Sequence, residues 1–407
     1  MDIYMPQQAQ KALDVLENAG YEAYIVGGCV RDQLMNRVPG DYDITTSALP
    51  EQVMTAFAGE RIIPTGIKHG TVTVVLDDMP LEITTFRADG EYTDHRHPDG
   101  VSFSTKLSDD LCRRDFTINA MAYSPRRGLI DMYGGMEDIK NSCIRCVGDA
   151  EKRFEEDALR MLRAVRFASV LGFDIEYSTR EALKAHVGDI TYVARERICA
   201  ELNKAVCAEY AQYTFEECSE LIMTALKLDM DFAEYSEAVN MMTHTHHNLV
   251  SKWAALLYKL GAERAAQVLI DLREPNTIIN RVRAAIENCA YPIYPERTSI
   301  LSALNKMGFD GFDDAVALQM TCAACLGTDL QRVIDLSKAS DMVIKLLEKD
   351  ECFSLMQLKV NGGDMKELGL TGRAIGETLN KLLDDVIHER VANNKSELIK
   401  RAKSMIQ

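Results

Sequence analysis

The chain has 407 residues, which is more than one hydrophobic core usually supports, so two to four domains are expected. Hydrophobic residues make up 47% of it and charged residues 27%, and no apolar run approaches the length of a membrane span, so a globular protein without a membrane anchor is expected. The net charge of −16 argues against a uniformly basic nucleic-acid-binding surface, although a local basic cleft would still hold phosphate groups.

The start of the chain and its cysteines indicate a cytoplasmic location. Residues 1–4 lead directly into an amphipathic helix pattern, without the pattern of a signal peptide. The eleven cysteines have no regular spacing, which is typical of reduced thiols. Cys143-x-x-Cys146 and Cys322-x-x-Cys325 have the spacing of zinc ligands, but their apolar surroundings favour small buried thiols over a zinc site.

The predicted elements fall into two parts. Over residues 1–150 helix and strand patterns alternate. Helices are predicted at 7–18, 32–35 and 50–58, and strands at 24–26, 42–44, 71–76 and 81–86. From residue 151 onward strand patterns nearly vanish, and helices are predicted at 156–171, 179–187, 196–209, 218–228, 249–260, 262–272 and 376–390. The sequence therefore predicts an α+β protein, with an α/β head followed by an all-α remainder.

Two aspartates one residue apart are the most informative feature of the head. Asp41 and Asp43 follow the diglycine Gly27-Gly28 and a short apolar strand. Alternate residues of a strand point the same way, so the two carboxylates lie side by side and repel each other unless a cation lies between them. Mg²⁺ suits such ligands and completes its shell with water and substrate phosphate oxygens. The pattern predicts a site for phosphoryl or nucleotidyl transfer, with glycines that let the backbone approach phosphate.

Glu82 can extend this acidic pair. It lies in the second strand of a predicted hairpin and faces away from its apolar neighbours Leu81 and Ile83. Two interpretations stay open: Glu82 joins Asp41 and Asp43 as a third carboxylate, or it is a solvated strand acid.

The segment after the hairpin, residues 87–98, contains Gly, Asp and Pro and is typical of a mobile loop. Some of its side chains can pair with phosphate or with a base edge, namely Arg87, Asp89, Asp94 and Arg96. The alternative is a solvated loop without a role.

Two adjacent arginines follow on a predicted helix, in the string Arg113-Arg114-Asp115-Phe116-Thr117-Ile118-Asn119-Ala120. The planar guanidinium groups of arginine suit triphosphate oxygens, and Asp115 or Asn119 can hydrogen-bond a ribose hydroxyl. An isolated Arg-Arg pair would more often be surface charge, but the complete string predicts contacts to phosphate and ribose.

The first predicted helix of the all-α part carries charges at helical spacing. Its apolar stripe faces away from a charged side formed by Glu156, Asp157, Arg160 and Arg163. Taken alone, this pattern would be an ordinary salt-bridged helix face.

Together these strings resemble the signature of the nucleotidyltransferase superfamily that includes DNA polymerase β. More closely, they resemble its class II branch, which holds the bacterial CCA-adding enzymes and the poly(A) polymerases. The resemblance is strong over residues 20–205 and weaker over 240–290 and 355–403. It implies that Asp41 and Asp43 are catalytic and bind Mg²⁺, with Glu82 beside them. It also implies a set of nucleotide-binding residues: Gly28, Arg31, Arg113, Arg114, Asp115, Asn119, Glu156, Asp157, Arg160, Arg163 and Arg166.

The resemblance also gives each segment a role. Residues 87–98 match the flexible loop that class II enzymes able to add adenosine retain, and residues 113–120 match the ribose-recognition motif. Residues 156–160 match the protein template that selects the base, and residues 194–204 match a helix that braces the template.

Base chemistry explains how such a template would select. Cytosine and adenine each present an amino donor beside an acceptor, so Asp157 can accept from the amino group while Arg160 donates to the acceptor. Uracil and guanine reverse those polarities, and an unpaired or opposed group in a dry pocket is costly. The pair would admit CTP and ATP and reject UTP and GTP, with Glu156 orienting Arg160.

The implied function is that of a CCA-adding tRNA nucleotidyltransferase without an appended phosphohydrolase. The partners are the tRNA 3′ end and the substrates CTP and ATP, and pyrophosphate is released. The expected domains are a head over 1–150, a neck over 151–210, a body over 211–300 and a tRNA-binding tail over 301–407. The oligomeric state stays open.

Three alternatives remain at this point. A poly(A) polymerase would extend RNA with ATP alone. An enzyme that adds only the terminal A, or only CC, would share the work with a second protein, although the intact loop over 87–98 argues against CC-only addition. A catalytically inactive RNA-binding protein is the alternative from another class, which the intact Asp41 and Asp43 argue against.

Overall fold

The chain divides into two compact units, Met1–Asp229 and Met230–Gln407. The structure is a computed structural model and describes residues 3–88, 102–245, 248–327 and 329–406. Within that part of the chain, no helix is both long enough and apolar enough to cross a membrane.

The first unit contains all the strands of the described residues. They are β1 Ala23–Val26, β2 Asp43–Thr46, β3 Arg61–Gly66, β4 Thr71–Leu76, β5 Met79–Thr85, β6 Arg87–Ala88, β7 Ser102–Phe103, β8 Met121–Ser124, β9 Gly128–Asp131, β10 Cys143–Ile144 and β11 Asp174–Ile175. Seven of them form one sheet in the order β3-β4-β5-β2-β1-β8-β9. In this sheet β2 and β5 are parallel neighbours, and each of the other neighbouring pairs is antiparallel.

The hairpin between β4 and β5 is confirmed, with a tighter turn than the sequence pattern indicated. Asp77 and Asp78 form the turn, with φ angles of 46° and 63°. Two consecutive residues with positive φ match the twist of a two-residue hairpin, and aspartate tolerates this conformation better than most residues. The register pairs Val74 with Leu81 and Thr73 with Glu82, so Glu82 has the orientation opposite to that of the buried Leu81.

Eleven α-helices accompany the strands among the described residues of the first unit. They are α1 Gln7–Asn18, α2 Gly28–Leu34, α3 Pro50–Ala56, α4 Leu107–Cys112, α5 Gly135–Lys140, α6 Ala150–Glu156, α7 Leu159–Leu171, α8 Tyr177–Ala185, α9 Arg195–Val206, α10 Ala211–Glu217 and α11 Ser219–Leu226. The apolar sides of α1 and α3 pack on one face of the sheet and form the main core of the head. A smaller cluster that includes Leu107 and Leu111 of α4 lies on the opposite face, and this face carries the candidate site.

Every regular element among the described residues of the second unit is a helix. Its helices are α12 Phe232–His244, α13 Leu249–Leu257, α14 Ala262–Asp271, α15 Asn276–Glu287, α16 Arg297–Cys325, α17 Leu330–Glu348, α18 Gly362–Glu367, α19 Arg373–Ile387 and α20 Lys395–Ile406. Gly308 interrupts α16 with a φ of 71°, a conformation that glycine adopts without a steric penalty. The predicted fold class, an α/β head followed by helices, is confirmed.

Two predictions about local structure near the site were wrong. The helix predicted over 156–171 is two helices, because Asp157 has extended backbone angles (φ −152°, ψ 100°) between α6 and α7. The two adjacent arginines do not lie within a helix, because α4 ends at Cys112 and Arg113 is its C-terminal cap. Both breaks turn charged side chains towards the open face of the sheet.

Candidate active site

A cavity of about 400 Å³ lies against the open face of the sheet. Asp43 and Thr45 of β2 line one wall, and Glu82 and Thr84 of the neighbouring β5 line it beside them. Six arginines also line the cavity, namely Arg87, Arg113, Arg114, Arg160, Arg163 and Arg197. An acidic edge that shares a cavity with a concentration of guanidinium groups is suited to a polyphosphate that carries a divalent cation.

Of the three predicted carboxylates, Asp43 and Glu82 line the cavity, whereas Asp41 is not part of its lining. Asp43 and Glu82 are direct neighbours in the parallel pairing of β2 with β5, and Asp41 lies two residues before Asp43 at the entrance to β2. Burial and the negative charges of Asp41 and Glu82 raise the pKa of Asp43 to about 6, and the positive charge of Arg114 offsets this only in part. Asp43 therefore lies in an electrostatic environment in which its own ionisation is costly without a cation.

The donor set suits a hard divalent cation with open coordination positions. Among the described residues, no group of three or more histidine, cysteine, aspartate or glutamate side chains is arranged to hold a metal ion, so Asp41, Asp43 and Glu82 do not form a three-carboxylate site. Asp41 and Asp43 offer carboxylate oxygens, and Mg²⁺ is usually bound by one or two carboxylates together with water and substrate phosphate. The residues present therefore fit Mg²⁺ that arrives with a nucleotide.

A buried carboxylate that the sequence analysis missed holds the two adjacent arginines. Asp110 of α4 accepts hydrogen bonds from Nη2 of Arg113 at 2.7 Å and from Nη2 of Arg114 at 3.2 Å. Burial alone would raise the pKa of Asp110, but Arg114 and Arg113 together hold it below its usual value. The signal for Asp110 was its spacing, three and four residues before the arginines on one helical turn.

Asp115 and Asn119 form a buried network behind the arginines. Nη2 of Arg163 lies 2.6 Å from the Asp115 carboxylate, and the Asn119 side chain donates to the same group at 3.2 Å. Although burial opposes ionisation, Arg163 and these hydrogen bonds hold the pKa of Asp115 at about 2. Asn119 also accepts from Nη1 of Arg31 at 2.7 Å. Asp115 lies at the cavity wall with Arg163, whereas Arg31 lies behind it.

Arg31 and Arg166 pack around an aromatic ring. The guanidinium carbons of Arg31 and Arg166 lie 5.1 Å and 3.8 Å from the centre of the buried Phe167 ring. Arg166 also forms a salt bridge with Glu201 of α9. Neither arginine is part of the cavity lining. Arg31 contacts Asn119 and Phe167, and Arg166 contacts Phe167 and Glu201, so both contribute to packing beside the cavity. Neither Phe167 nor Glu201 was predicted from the sequence to have a role at the site.

The predicted base-selecting residues lie at the junction of α6 and α7. The Arg160 guanidinium contacts Oε2 of Glu156 at 2.5 Å, in agreement with the predicted orienting contact. The Asp157 carboxylate forms two hydrogen bonds with Arg197 of α9, at 2.8 and 3.2 Å. Because Asp157 is extended, its side chain reaches the cavity beside Arg160 rather than following the charged side of one continuous helix. Arg197 was missed as an individual residue within the predicted bracing helix.

Of the two glycines, Gly27 has the stronger structural requirement. Its φ is 77°, and a Cβ atom there would lie 3.0 Å from Nη1 of Arg114. Gly28 is the first residue of α2 and has no positive φ. Position 27 thus requires glycine because a side chain there would crowd Arg114 where it approaches the backbone just after β1.

Only the first residue of the predicted loop set is described. Arg87 lies at the cavity wall and donates to the backbone carbonyl of His69 at 3.2 Å. Asp89, Asp94 and Arg96 lie outside the described residues.

Three protein-family models match the chain. A model described as the poly A polymerase head domain matches residues 23–145, and one described as a probable RNA and SrmB-binding site of polymerase A matches residues 172–222. A third, described as tRNA nucleotidyltransferase domain 2, putative, matches residues 244–402. The first match contains the acidic pair and the adjacent arginines.

Curated relatives match over nearly the full chain. The CCA-adding enzyme of Lactobacillus helveticus is 35% identical over 396 residues, which are 95% of this chain and 94% of that protein. The CCA-adding enzyme of Geobacillus thermodenitrificans is 35% identical over 399 residues, which are 96% and 95% of the two chains. A solved structure, the Bacillus stearothermophilus CCA-adding enzyme in complex with CTP, is 31% identical with a TM-score of 0.84, covering 99% of this chain and 98% of that one.

Proposed function

The chain belongs to the family of CCA-adding enzymes, and from that membership we propose that the cavity between the acidic edge and the arginines is where it transfers nucleotides to tRNA. The enzyme adds C, C and A to the tRNA 3′ end from CTP and ATP and releases pyrophosphate. The observation that carries the proposal is the pairing of Asp43 with Glu82 in a cavity that six arginines also line.

The acidic edge would hold the divalent cation. Nucleotidyltransferases of this family use divalent metal ions, and Asp41 and Asp43 would be the ligands of Mg²⁺ here. When bound, Mg²⁺ lowers the pKa of the attacking hydroxyl and neutralises phosphate charge. Glu82 keeps the same edge acidic beside Asp43 and can accept a hydrogen bond from the attacking 3′-hydroxyl.

The arginine wall would bind the triphosphate. Arg113 and Arg114 line the cavity just after α4, and both are held by Asp110 before any nucleotide arrives. Fixed guanidinium groups stabilise the charge that moves to the pyrophosphate leaving group, because they need no reorganisation during the reaction. Asp115 and Asn119 would place the ribose, since Asp115 lines the cavity and Asn119 is hydrogen-bonded to it.

Base selection would be carried out by Asp157 and Arg160. Glu156 holds the Arg160 guanidinium, and Arg197 holds the Asp157 carboxylate, so the acceptor and the donor are both fixed. A carboxylate oxygen has lone pairs beyond those that Arg197 occupies, so Asp157 can still accept from the amino group of cytosine or adenine. A base with the opposite polarity would leave one of these groups unpaired.

Other parts of the chain have roles in the same proposal. We assign residues 1–150 to the head, 151–210 to the neck, 211–300 to the body and 301–407 to a tail that binds tRNA. The exposed Arg373 at the start of α19, together with Lys395 and Lys403 of α20, provides cations for RNA phosphate. All eleven cysteines are free thiols, which suits a cytoplasmic enzyme.

A substrate series tests the proposal. Purified protein is incubated with Mg²⁺ and tRNA that ends before the first C, after C, after CC or after CCA, with CTP and ATP offered separately and together. We expect addition of CTP to the first two, ATP to the third and nothing to the complete tRNA. A long A tail with ATP alone would indicate a poly(A) polymerase. Addition of A only to tRNA ending in CC would indicate an A-adding enzyme, and no incorporation would indicate an RNA-binding protein.

A further inference from the structure

Asp110 is fully buried, and both of its carboxylate oxygens are engaged. Arg113 donates to Oδ1 from Nε at 3.1 Å and from Nη2 at 2.7 Å, and Arg114 donates to Oδ2 at 3.2 Å. One carboxylate therefore sets the spacing between two guanidinium groups that face the cavity.

The same carboxylate connects these arginines to the sheet. Thr45 of β2 donates its hydroxyl to Oδ2 of Asp110 at 3.1 Å, and the backbone N–H of Arg87 approaches Oδ1 at 3.4 Å. Thr45 lies two residues after Asp43 and lines the same cavity, so the two residues point to the same side of β2. Asp110 thereby links the arginine wall to the strand that carries the acidic edge.

The charge arrangement shows why such a group is needed. Arg87, Arg113 and Arg114 share one wall, and like charges at short range repel each other in a partly dry cavity. A buried charge is tolerated where it is paired and hydrogen-bonded, and Asp110 meets both conditions. It supplies the counter-charge that keeps two of these arginines in place when no triphosphate is bound.

On the basis of the proposed function, we infer that Asp110 is the positioning residue of the triphosphate site, which fixes the arginine pair relative to the metal-binding strand. Asp110 does not touch the substrate itself, because it is fully buried and its oxygens are occupied. Its effect reaches the substrate through Arg113 and Arg114. Replacing Asp110 should therefore weaken binding of the triphosphate, which CTP and ATP share, and leave base selection unchanged.

The test compares Asp110→Asn with Asp109→Asn, a matched change in the preceding residue. Asp109 pairs with Ser104 at 2.6 Å and has no role in the cavity wall. Tripolyphosphate, which has neither base nor ribose, is the probe, measured as a competitive inhibitor of CTP addition. Losing a charge-assisted contact should weaken tripolyphosphate inhibition and raise KM for CTP and ATP equally, by about tenfold or more. The change in kcat should be smaller, and Asp109→Asn should match the wild type.

The outcomes separate this inference from the proposed function. Asp110→Asn that folds and keeps the wild-type KM and tripolyphosphate inhibition would overturn the inference. If Asp110→Asn does not fold, Thr45→Val is the second test of the inference, because it removes only the hydrogen bond that links Asp110 to β2. It should raise both KM values by about fivefold, as expected for one neutral hydrogen bond, and unchanged values would overturn the inference. Wild-type protein that tripolyphosphate does not inhibit would contradict the proposed triphosphate site itself.

An independent observation concerns two thiols of the second unit. The Sγ atoms of Cys289, just beyond α15, and Cys322, on α16, are 3.7 Å apart. Both residues are partly exposed and line a cavity of about 570 Å³ together with Tyr258 and Arg332. A disulfide needs two cysteines whose side chains already approach each other, and this pair meets that condition in an accessible place. We propose that Cys289 and Cys322 are a redox-active dithiol that hydrogen peroxide converts reversibly to a disulfide.

Cys289 is the sulfur that reacts first. A hydrogen bond with Cys322, a second with Tyr258 and the charge of Arg332 together lower the pKa of the Cys289 thiol against the opposing effect of burial. The Cys289 thiolate attacks one peroxide oxygen, the O–O bond breaks, and the other oxygen leaves as water after taking up a proton. Cys322 then attacks the resulting sulfenic acid, loses its proton and releases the hydroxyl as a second water. Two electrons pass from the thiols to the peroxide.

Peptide mapping tests this second proposal. The full chain is treated with hydrogen peroxide, its free thiols are blocked with iodoacetamide, and the peptides are analysed by mass spectrometry without reduction. We expect a Cys289–Cys322 link that a dithiol reductant removes, that Cys289→Ser abolishes and that Cys325→Ser leaves in place. Cys289 and Cys322 that stay open to alkylation after peroxide treatment would overturn the proposal, as would links that join other cysteines equally well.

Discussion

Replacing Asp41 by asparagine should stabilise the metal-free protein while removing its activity. The pKa of Asp43 lies at about 6 rather than at its ordinary 3.8, because burial and the charges of Asp41 and Glu82 disfavour its ionised form. A raised pKa means that the ionised carboxylate opposes folding. This cost is absent below about pH 4, grows as the pH rises towards 6, and is present in full at pH 8.

The size of the effect follows from the pKa and from the exposure of the side chain. A shift of about two pKa units corresponds to about 3 kcal/mol for a fully buried group. Asp43 is exposed to the cavity, so solvent screening reduces this to about 1 kcal/mol. Asp41→Asn removes only one of the three causes, so at pH 8 without metal its Tm should rise by about 1–2 °C, and the gain should disappear at pH 4.

Magnesium with a nucleotide should make the wild type more thermally stable than Asp41→Asn, which is the reverse of the order expected without metal. Thermal unfolding is followed at pH 8 in EDTA and again with excess Mg²⁺ and a non-hydrolysable CTP analogue. Ligands present at about a hundred times their Kd stabilise the wild type by about 2.7 kcal/mol, and Asp41→Asn should lose most of that gain. Asp78→Asn, in the exposed turn between β4 and β5, is the control and should respond like the wild type. If Asp41→Asn is less stable in EDTA, or gains as much from the ligands as the wild type, the reasoning is wrong.

Three further predictions follow from the cavity wall. Asp157→Asn turns a pure acceptor into a group that can also donate, so its preference for CTP and ATP over UTP and GTP should fall by about tenfold or more in single-nucleotide kinetics; unchanged selectivity would exclude the template role. Asp115 has its pKa held at about 2, so its ion pair should stabilise the protein in full above about pH 4, with that contribution lost as the pH falls through 2. Asp115→Asn should accordingly lower the free energy of unfolding by about 2 kcal/mol at pH 7, and a variant as stable as the wild type in urea titrations would contradict the pairing. Gly27→Ala and Gly128→Ala place a side chain at similar φ angles, 77° and 71°, but only the first crowds a cavity arginine. Both should lose stability, Gly27→Ala by about 1–3 kcal/mol because φ 77° with ψ −127° is a region that glycine alone readily adopts, and only Gly27→Ala should raise KM for both nucleotides; equal kinetic effects would contradict this role of Gly27.

The sequence allowed the head to be predicted well because its signals are local. The strand at Ala23–Val26, the helix at Gln7–Asn18 and the β4–β5 hairpin follow from apolar runs, helical periodicity and turn chemistry. The alternation of Glu82 with its apolar neighbours also predicted that its side chain points away from the buried Leu81 and Ile83. Its placement beside Asp43 depends on the parallel pairing of β2 with β5, which no local pattern specifies.

The contacts within the site could not be predicted because they join distant parts of the chain. Arg197 reaches Asp157 across 40 positions, and Arg163 reaches Asp115 across 48. The break at Asp157 was missed because the charges on both sides of it fit helical spacing, and the competing tertiary contact with Arg197 carries no sequence signal. Asp110 is the exception, since its spacing from the two arginines was visible.

The most direct measurement of the central claim is single-turnover addition of labelled CMP to tRNA that lacks CCA, with Mg²⁺, for the wild type, Asp41→Ala and Asp43→Ala. tRNA binding is measured in parallel. If these two carboxylates hold the cation that accompanies the triphosphate, each variant should lose at least about a thousandfold in rate, because several kcal/mol of charge stabilisation is removed. Both should still bind tRNA. A variant that adds CMP at a rate near that of the wild type would contradict the account.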